Sequence, residues 1–165
     1  MSWIIKTVFV VALTSIYSVV IPQNQQLVNV EDSILLQNAH QLKYSLPDSA
    51  IQIIDFVAAK KTIHDSIIHD AFEIGGDAYW HKGNFIKSID YYGKAIVYAK
   101  KINDVRKISR GYSNIGYLYM EIGEYDKAIE ELKKSMEMAL KNDLNDRFLI
   151  ASTYLASVWG RLKQY

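Results

Sequence analysis

From residue 67 onward the chain alternates long stretches of helix-like apolar spacing with short polar breaks. Apolar side chains recur at intervals of three and four residues, the spacing that gathers them on one face of an α-helix. This predicts helices over Ile67–Lys82, Phe85–Lys101, Val105–Ile122, Tyr125–Leu140 and Asn145–Leu162. The breaks between paired helices are Gly83-Asn84 and Gly123-Glu124. Glycine there ends a helix by entering the left-handed conformation without a Cβ clash. Asp104 is placed to cap the following helix, and Asn142 or Asn145 the one after. Proline occurs only at positions 22 and 47, so none interrupts these helices. Ahead of them, Asp32–Tyr44 and Asp48–Lys61 read as another helical pair, and no stretch reads as a strand.

A shift of forty residues lays the chain on itself. Phe72 falls on Tyr112, Gly76 on Gly116, Tyr79 on Tyr119, Gly83 on Gly123 and Phe85 on Tyr125. A second shift carries Gly116 to Ala156, Tyr119 to Trp159 and Tyr125 to Tyr165, while Ala59, Ala99 and Ala139 form a parallel series. A fixed period of this length marks a repeat architecture. Gly76 and Gly116 lie inside helices, where glycine is about 1 kcal/mol worse than alanine. Their recurrence predicts a compensating close approach by the second helix of the same unit, through the small residues Ser88, Ala95, Ala128 and Ser135. Tyr79, Phe85, Tyr92, Tyr119, Tyr125 and Leu132 are the large residues expected between helices. The fold class is all-α, an α-α superhelical solenoid of helix pairs. In the leading pair, Ala50 and Val57 keep the spacing of Ser88 and Ala95 but are out of step with the Ala59 series, which leaves its register open.

The run Phe72-x3-Gly76-x2-Tyr79-x3-Gly83-x-Phe85-x2-Ser88-x3-Tyr92-x2-Ala95 resembles the tetratricopeptide repeat, as do Tyr112, Gly116, Tyr119, Gly123, Tyr125, Ala128, Leu132 and Ser135. The resemblance divides the chain into a leader over 1–21, a degenerate first helical pair over 22–68, and two full units with a truncated third over 69–165. Two departures, a forty-residue period against the family's usual length of about 34 and the missing closing proline, resemble the longer-period arrays joined to bacterial signalling proteins. The resemblance implies a scaffold that binds a protein or peptide in its concave groove, without catalysis or cofactor. An alternative implication is the input segment of a larger sensor kinase or transcription regulator. In the family the first helix of each unit lines the groove. The corresponding positions here are Asp70, Glu73, Asp77, Trp80 and His81, then Arg110, Ser113, Asn114, Tyr117, Met120 and Glu121. Three carboxylates followed by aromatic and polar groups suit a peptide with some basic character. Glu73 and Asp77 stand where some relatives carry the Lys and Asn that clamp a terminal carboxylate, which disfavours that ligand.

Composition narrows the function further. Lys and Arg number 19 against 18 Asp and Glu, and no basic tract stands out, so the segment lacks the footprint of nucleic-acid binding. Cysteine is absent, which removes disulfides, thiolate nucleophiles and cysteine-ligated zinc. Met1–Lys6 followed by the uncharged run Thr7–Ile21 reads as a secretory signal, or as an uncleaved membrane anchor, and places the protein in the periplasm or outside the cell. The stretch Ile63–Asp70 holds His64, Asp65 and His69, with His81 and Glu73 as further conceivable metal donors. It reads as a solvated connection between helices, so no metal site is expected. Asn145–Leu162 lacks a following helix, and its apolar side (Leu155, Val158, Trp159, Leu162) is expected to be covered by further chain, by a partner or by a second copy.

Overall fold

The computed structural model describes residues 30–60 and 64–163; the expected leader lies outside them. The described residues form seven helices and no strand. Helix α1 covers residues 30–42. It is followed by α2 (Pro47–Ala58), α3 (Asp65–His81), α4 (Phe85–Lys101), α5 (Val105–Glu121), α6 (Tyr125–Lys141) and α7 (Asn145–Leu162). Each helix from α2 onward packs against its neighbour in sequence, and α5 also touches α7. None of the described helices is long and apolar enough to cross a membrane.

The forty-residue period is a property of the helices themselves. First helices start at Asp65, Val105 and Asn145, and second helices at Phe85 and Tyr125. The turns recur twice as often. Gly83, Asn103, Gly123 and Asp143 all take the left-handed conformation, with φ of 71°, 55°, 81° and 55°. After each of them a main-chain N–H reaches back five residues: Asn84 to Tyr79, Asp104 to Ala99, Glu124 to Tyr119 and Leu144 to Ala139, at 2.9–3.0 Å. That bond satisfies a carbonyl the helix end leaves free. Glycine fills the turn within a unit; Asn and Asp, the other residues that tolerate this conformation, fill the turn between units.

Caps follow the sequence in part. Asp104 accepts from Lys107 N–H at 3.0 Å, as expected, and Asn84 accepts from Lys87 N–H at 3.1 Å. Helix α7 has no side-chain cap. Asn142, expected to serve it, donates instead to the Met138 carbonyl at 2.8 Å and closes the end of α6.

Helices approach closely at Gly75, Gly76, Gly111 and Gly116, and Gly76 and Gly116 are the two notches that recur with the repeat. A Cβ on Gly76 would lie 2.8 Å from the Tyr92 ring, and one on Gly116 would lie 2.7 Å from Leu132. These glycines let the second helix settle onto the first, which is the close approach the repeat predicts. Ser88 Oγ then donates to the Gly76 carbonyl at 2.7 Å. Leu132, Ala128, Ala151 and Val158 are fully buried around the second notch. Tyr125, counted among the large core residues, is only half-buried, so its share of the stability is smaller than a fully buried ring gives.

The leading pair joins the same core. Leu36 and Ala39 of α1 pack with Ala50, Ile51, Ile54 and Val57 of α2 and with Ala71, Ile74 and Ala78 of α3. Measured from the helix start, buried Ala50, Ile54 and Val57 occupy the places of Ser88, Tyr92 and Ala95. The register left open in the sequence is therefore that of Ser88 and Ala95, and the Ala59 series ends just beyond α2.

Candidate interaction face

The first helices α3, α5 and α7, with the end of α1, share one face. Side chains on it meet across units at an interval slightly shorter than the repeat. Asp70 accepts from Lys107 at 2.6 Å and Glu73 from Arg110 at 2.7 Å, both 37 residues on. Trp80 meets Tyr117 edge-on at 6.0 Å, and Tyr117 meets Tyr154 at 5.1 Å, at that same interval. Equivalent positions lie forty apart, so these contacts join side chains offset by about one helical turn, whereas Glu121 and Arg161 pair at the full interval of forty.

This offset decides the chemistry of the expected ligand face. Asp70 and Glu73 project toward cations of α5. Asp77 accepts from Lys43, at the end of α1, and from the Tyr92 hydroxyl. Glu121 accepts from Arg161 at 2.7 Å. Burial and the Asp77 charge hold the Tyr92 phenol above its ordinary pKa, so it remains a donor. The carboxylates expected to meet a basic peptide are therefore engaged within the array, along with Arg110.

Aromatic groups form a second part of the face. His81 is exposed and lies 4.6 Å from both Tyr44 and Trp80. Trp80, Tyr117 and Tyr154 border a cleft of about 250 Å³, with Asn114, Asp77, Tyr92 and Leu118 completing its walls. Burial, then the Glu121 charge, raises the Tyr117 phenol above its ordinary pKa. Asn114 is half-buried, and its amide offers both a donor and an acceptor at the cleft wall.

Two expected residues are not on this face. Ser113 is 2% exposed and donates to the Arg110 carbonyl at 2.9 Å, within its own helix. Met120 is 3% exposed and packs with Leu132, Ala151 and Val158, because α7 closes over the position that Trp80 leaves open in α3. Tyr154 and Lys43 belong to the face but were not among the positions read from the sequence.

The histidines separate. His64 is exposed ahead of α3, and Asp65 pairs with Lys101 at 3.4 Å. His69, read as part of a solvated connection, is instead 1% exposed inside α3. The helix starts two residues earlier than the apolar spacing indicates, and this carries His69 into its second turn.

Residues 73–101 and 109–142 match a tetratricopeptide repeat family model. No curated protein matches the chain in sequence. The crystal structure of MamA is similar at 20% identity, with a TM-score of 0.49 over 85% of each chain, a likeness too loose to bear on function. The matched segments span most of α3–α6, in which glycine notches, left-handed turns and paired helices recur together; these segments are tetratricopeptide repeats, within an all-α array of helix pairs.

Proposed function

We propose that this array is a non-catalytic scaffold that takes a protein or peptide segment along the face of α3, α5 and α7. The observation that carries the reading is the aromatic cleft of Trp80, Tyr117 and Tyr154 with Asn114 in its wall. Aromatic faces supply contact area at little conformational entropy, and a half-buried amide pairs with main-chain groups of an extended ligand. Since the neighbouring carboxylates are matched by Lys43, Lys107 and Arg110, the ligand we favour presents an aromatic or apolar side chain to the cleft and not a run of basic ones. The leader over residues 1–21 supports action outside the cytoplasm, with the array released or held at the membrane.

Selection of peptides from a random displayed library on the purified chain tests this. Enriched sequences are expected to carry a large apolar or aromatic residue. Their binding, followed by calorimetry, is expected to fall at least roughly tenfold in Asn114→Ala and in Tyr117→Ala, with helicity retained. Selected peptides that bind both variants as well as the parent chain refute the groove assignment.

A further inference from the structure

We infer that α3 carries a site for a zinc-class divalent cation, with His69 Nε2, Asp70 and Glu73 as its protein ligands. This is independent of the peptide-binding reading.

His69 Nδ1 lies 2.9 Å from the main-chain carbonyl of Ala95 on α4. A carbonyl oxygen only accepts, so the proton of the neutral ring is assigned to Nδ1, and Nε2 presents a lone pair. Nε2 is buried and has no hydrogen-bond partner among the described residues. It faces two further electron-rich atoms, Asp70 Oδ1 and Glu73 Oε2, each 3.8 Å away. One donor atom from each of the three residues lies within 4.8 Å of the others. Lys107 and Arg110 hold the two carboxylates, but no donor among the described residues reaches the buried Nε2 lone pair, which a cation placed among the three groups would engage.

The surroundings favour a metal ion in that role. A ligating histidine characteristically donates its other ring N–H to a carbonyl, which fixes ring orientation, and the Ala95 carbonyl accepts that bond here. One imidazole and two carboxylates suit zinc, whereas calcium and magnesium prefer all-oxygen sets. Contraction of the two separations from Nε2 by about half an ångström reaches tetrahedral spacing at zinc bond lengths. The carboxylates line a cleft of about 480 Å³, shared with His40 and Gln37 of α1, through which an ion can enter.

The repeat itself marks the site as a departure. Forty residues on, Ser109 and Ser135 occupy the places of His69 and Ala95. They close a fully paired contact, Ser135 Oγ donating to the Ser109 carbonyl at 2.8 Å. The array thus holds a satisfied solution for this position, and α3 uses a half-satisfied imidazole instead. Lys107 and Arg110 already neutralise the two carboxylates, so zinc binds in competition with both and loosens these bridges between α3 and α5.

Titration of zinc chloride into the full chain by calorimetry tests the site, with calcium chloride as control. Zinc is expected to bind in a one-to-one ratio and calcium not at all. Glu73→Gln and Asp70→Asn, both at solvent-reached positions, should each weaken zinc by roughly tenfold or more. Lys107→Met removes a competing charge and should tighten zinc several-fold, an effect opposite in sign to any loss of packing. Absence of stoichiometric zinc from both the parent chain and Lys107→Met overturns the proposal. So does zinc binding that Glu73→Gln and Asp70→Asn leave unchanged, which would put the ion on exposed His40, His64 or His81. Nitrogen-15 NMR of the His69 ring supplies a third outcome. A ring protonated on both nitrogens and indifferent to zinc identifies a buried imidazolium held by carboxylates, and no metal site.

Discussion

Where the second helix crosses the first, α3–α4 seats the Tyr92 ring on Gly76 and α5–α6 seats Leu132 on Gly116. The backbone solution is the same, but the side-chain solutions differ in kind. The first hairpin ties its large residue into a polar network, Tyr92 to Asp77 to Lys43. The second seats Leu132 among apolar side chains such as Ala128, Ala151 and Val158. At the far end of the same crossing the roles reverse, with a serine pair in α5–α6 and an imidazole with one free nitrogen in α3–α4. Backbone geometry therefore defines the repeat, and each unit distributes its polar groups separately.

That contrast can be broken at several points. Leu132→Ala removes a fully buried side chain and is expected to lower stability by about 3–5 kcal/mol in chemical denaturation; a loss under about 1 kcal/mol contradicts the packing described. Adding a methyl at either notch comes next, at about 2–3 kcal/mol. Gly116→Ala should be the worse of the two, because its Cβ meets the Ala128 main-chain carbonyl at 3.2 Å as well as Leu132, while at Gly76 it meets only a ring. Equal losses would mean that the Tyr92 ring is as immovable as backbone.

Tyr92→Leu installs the second hairpin's residue in the first. It should cost about 1.5–2 kcal/mol at neutral pH, through the lost bond to a charged group. It also changes the pH response. The folded phenol's pKa is raised above its unfolded value by burial and Asp77. Its contribution is therefore complete below about pH 10, the unfolded value, and is lost as pH rises beyond it. Burial and Asp55 raise Tyr91 in the same direction. Stability measured from pH 8 to 11 should fall less steeply in Tyr92→Leu than in the parent chain; parallel curves would refute the assignment. Ser135→Ala, which gives the second hairpin the residue found at Ala95, should cost about 1 kcal/mol. Smallest of all, Arg106→Ala breaks an exposed pair with Asp146 and should leave the thermal midpoint unchanged.

Much of this was legible in the sequence. The helix pairs, the glycine turns and the two notches follow from the forty-residue echo, because burial and turn geometry both constrain residue type strongly. The turns at Asn103 and Asp143 were not recognised, since Asn and Asp also occur in many ordinary loops. The interaction face was read only in part. A periodic pattern shows which residues share a helix face but not how far one helix slides along the next. Slippage by one turn sets Glu73 beside Arg110, and the closure of α7 buries Met120. His69 was read as solvated for a simpler reason: its flanks, His64-Asp65 and Asp70, are polar, and the early start of α3 draws it inward.

The bridges between first helices also impose an order on the units. Position 110 of α5 corresponds to position 70 of α3, so the arginine that meets Glu73 stands where the preceding unit has an aspartate. Were the first hairpin copied in tandem, Glu73 of one copy would face Asp70 of the next, carboxylate against carboxylate. The hairpins share a shape but cannot be shuffled freely, and an array lengthened by duplication would have to rewrite its charges before its copies could stack.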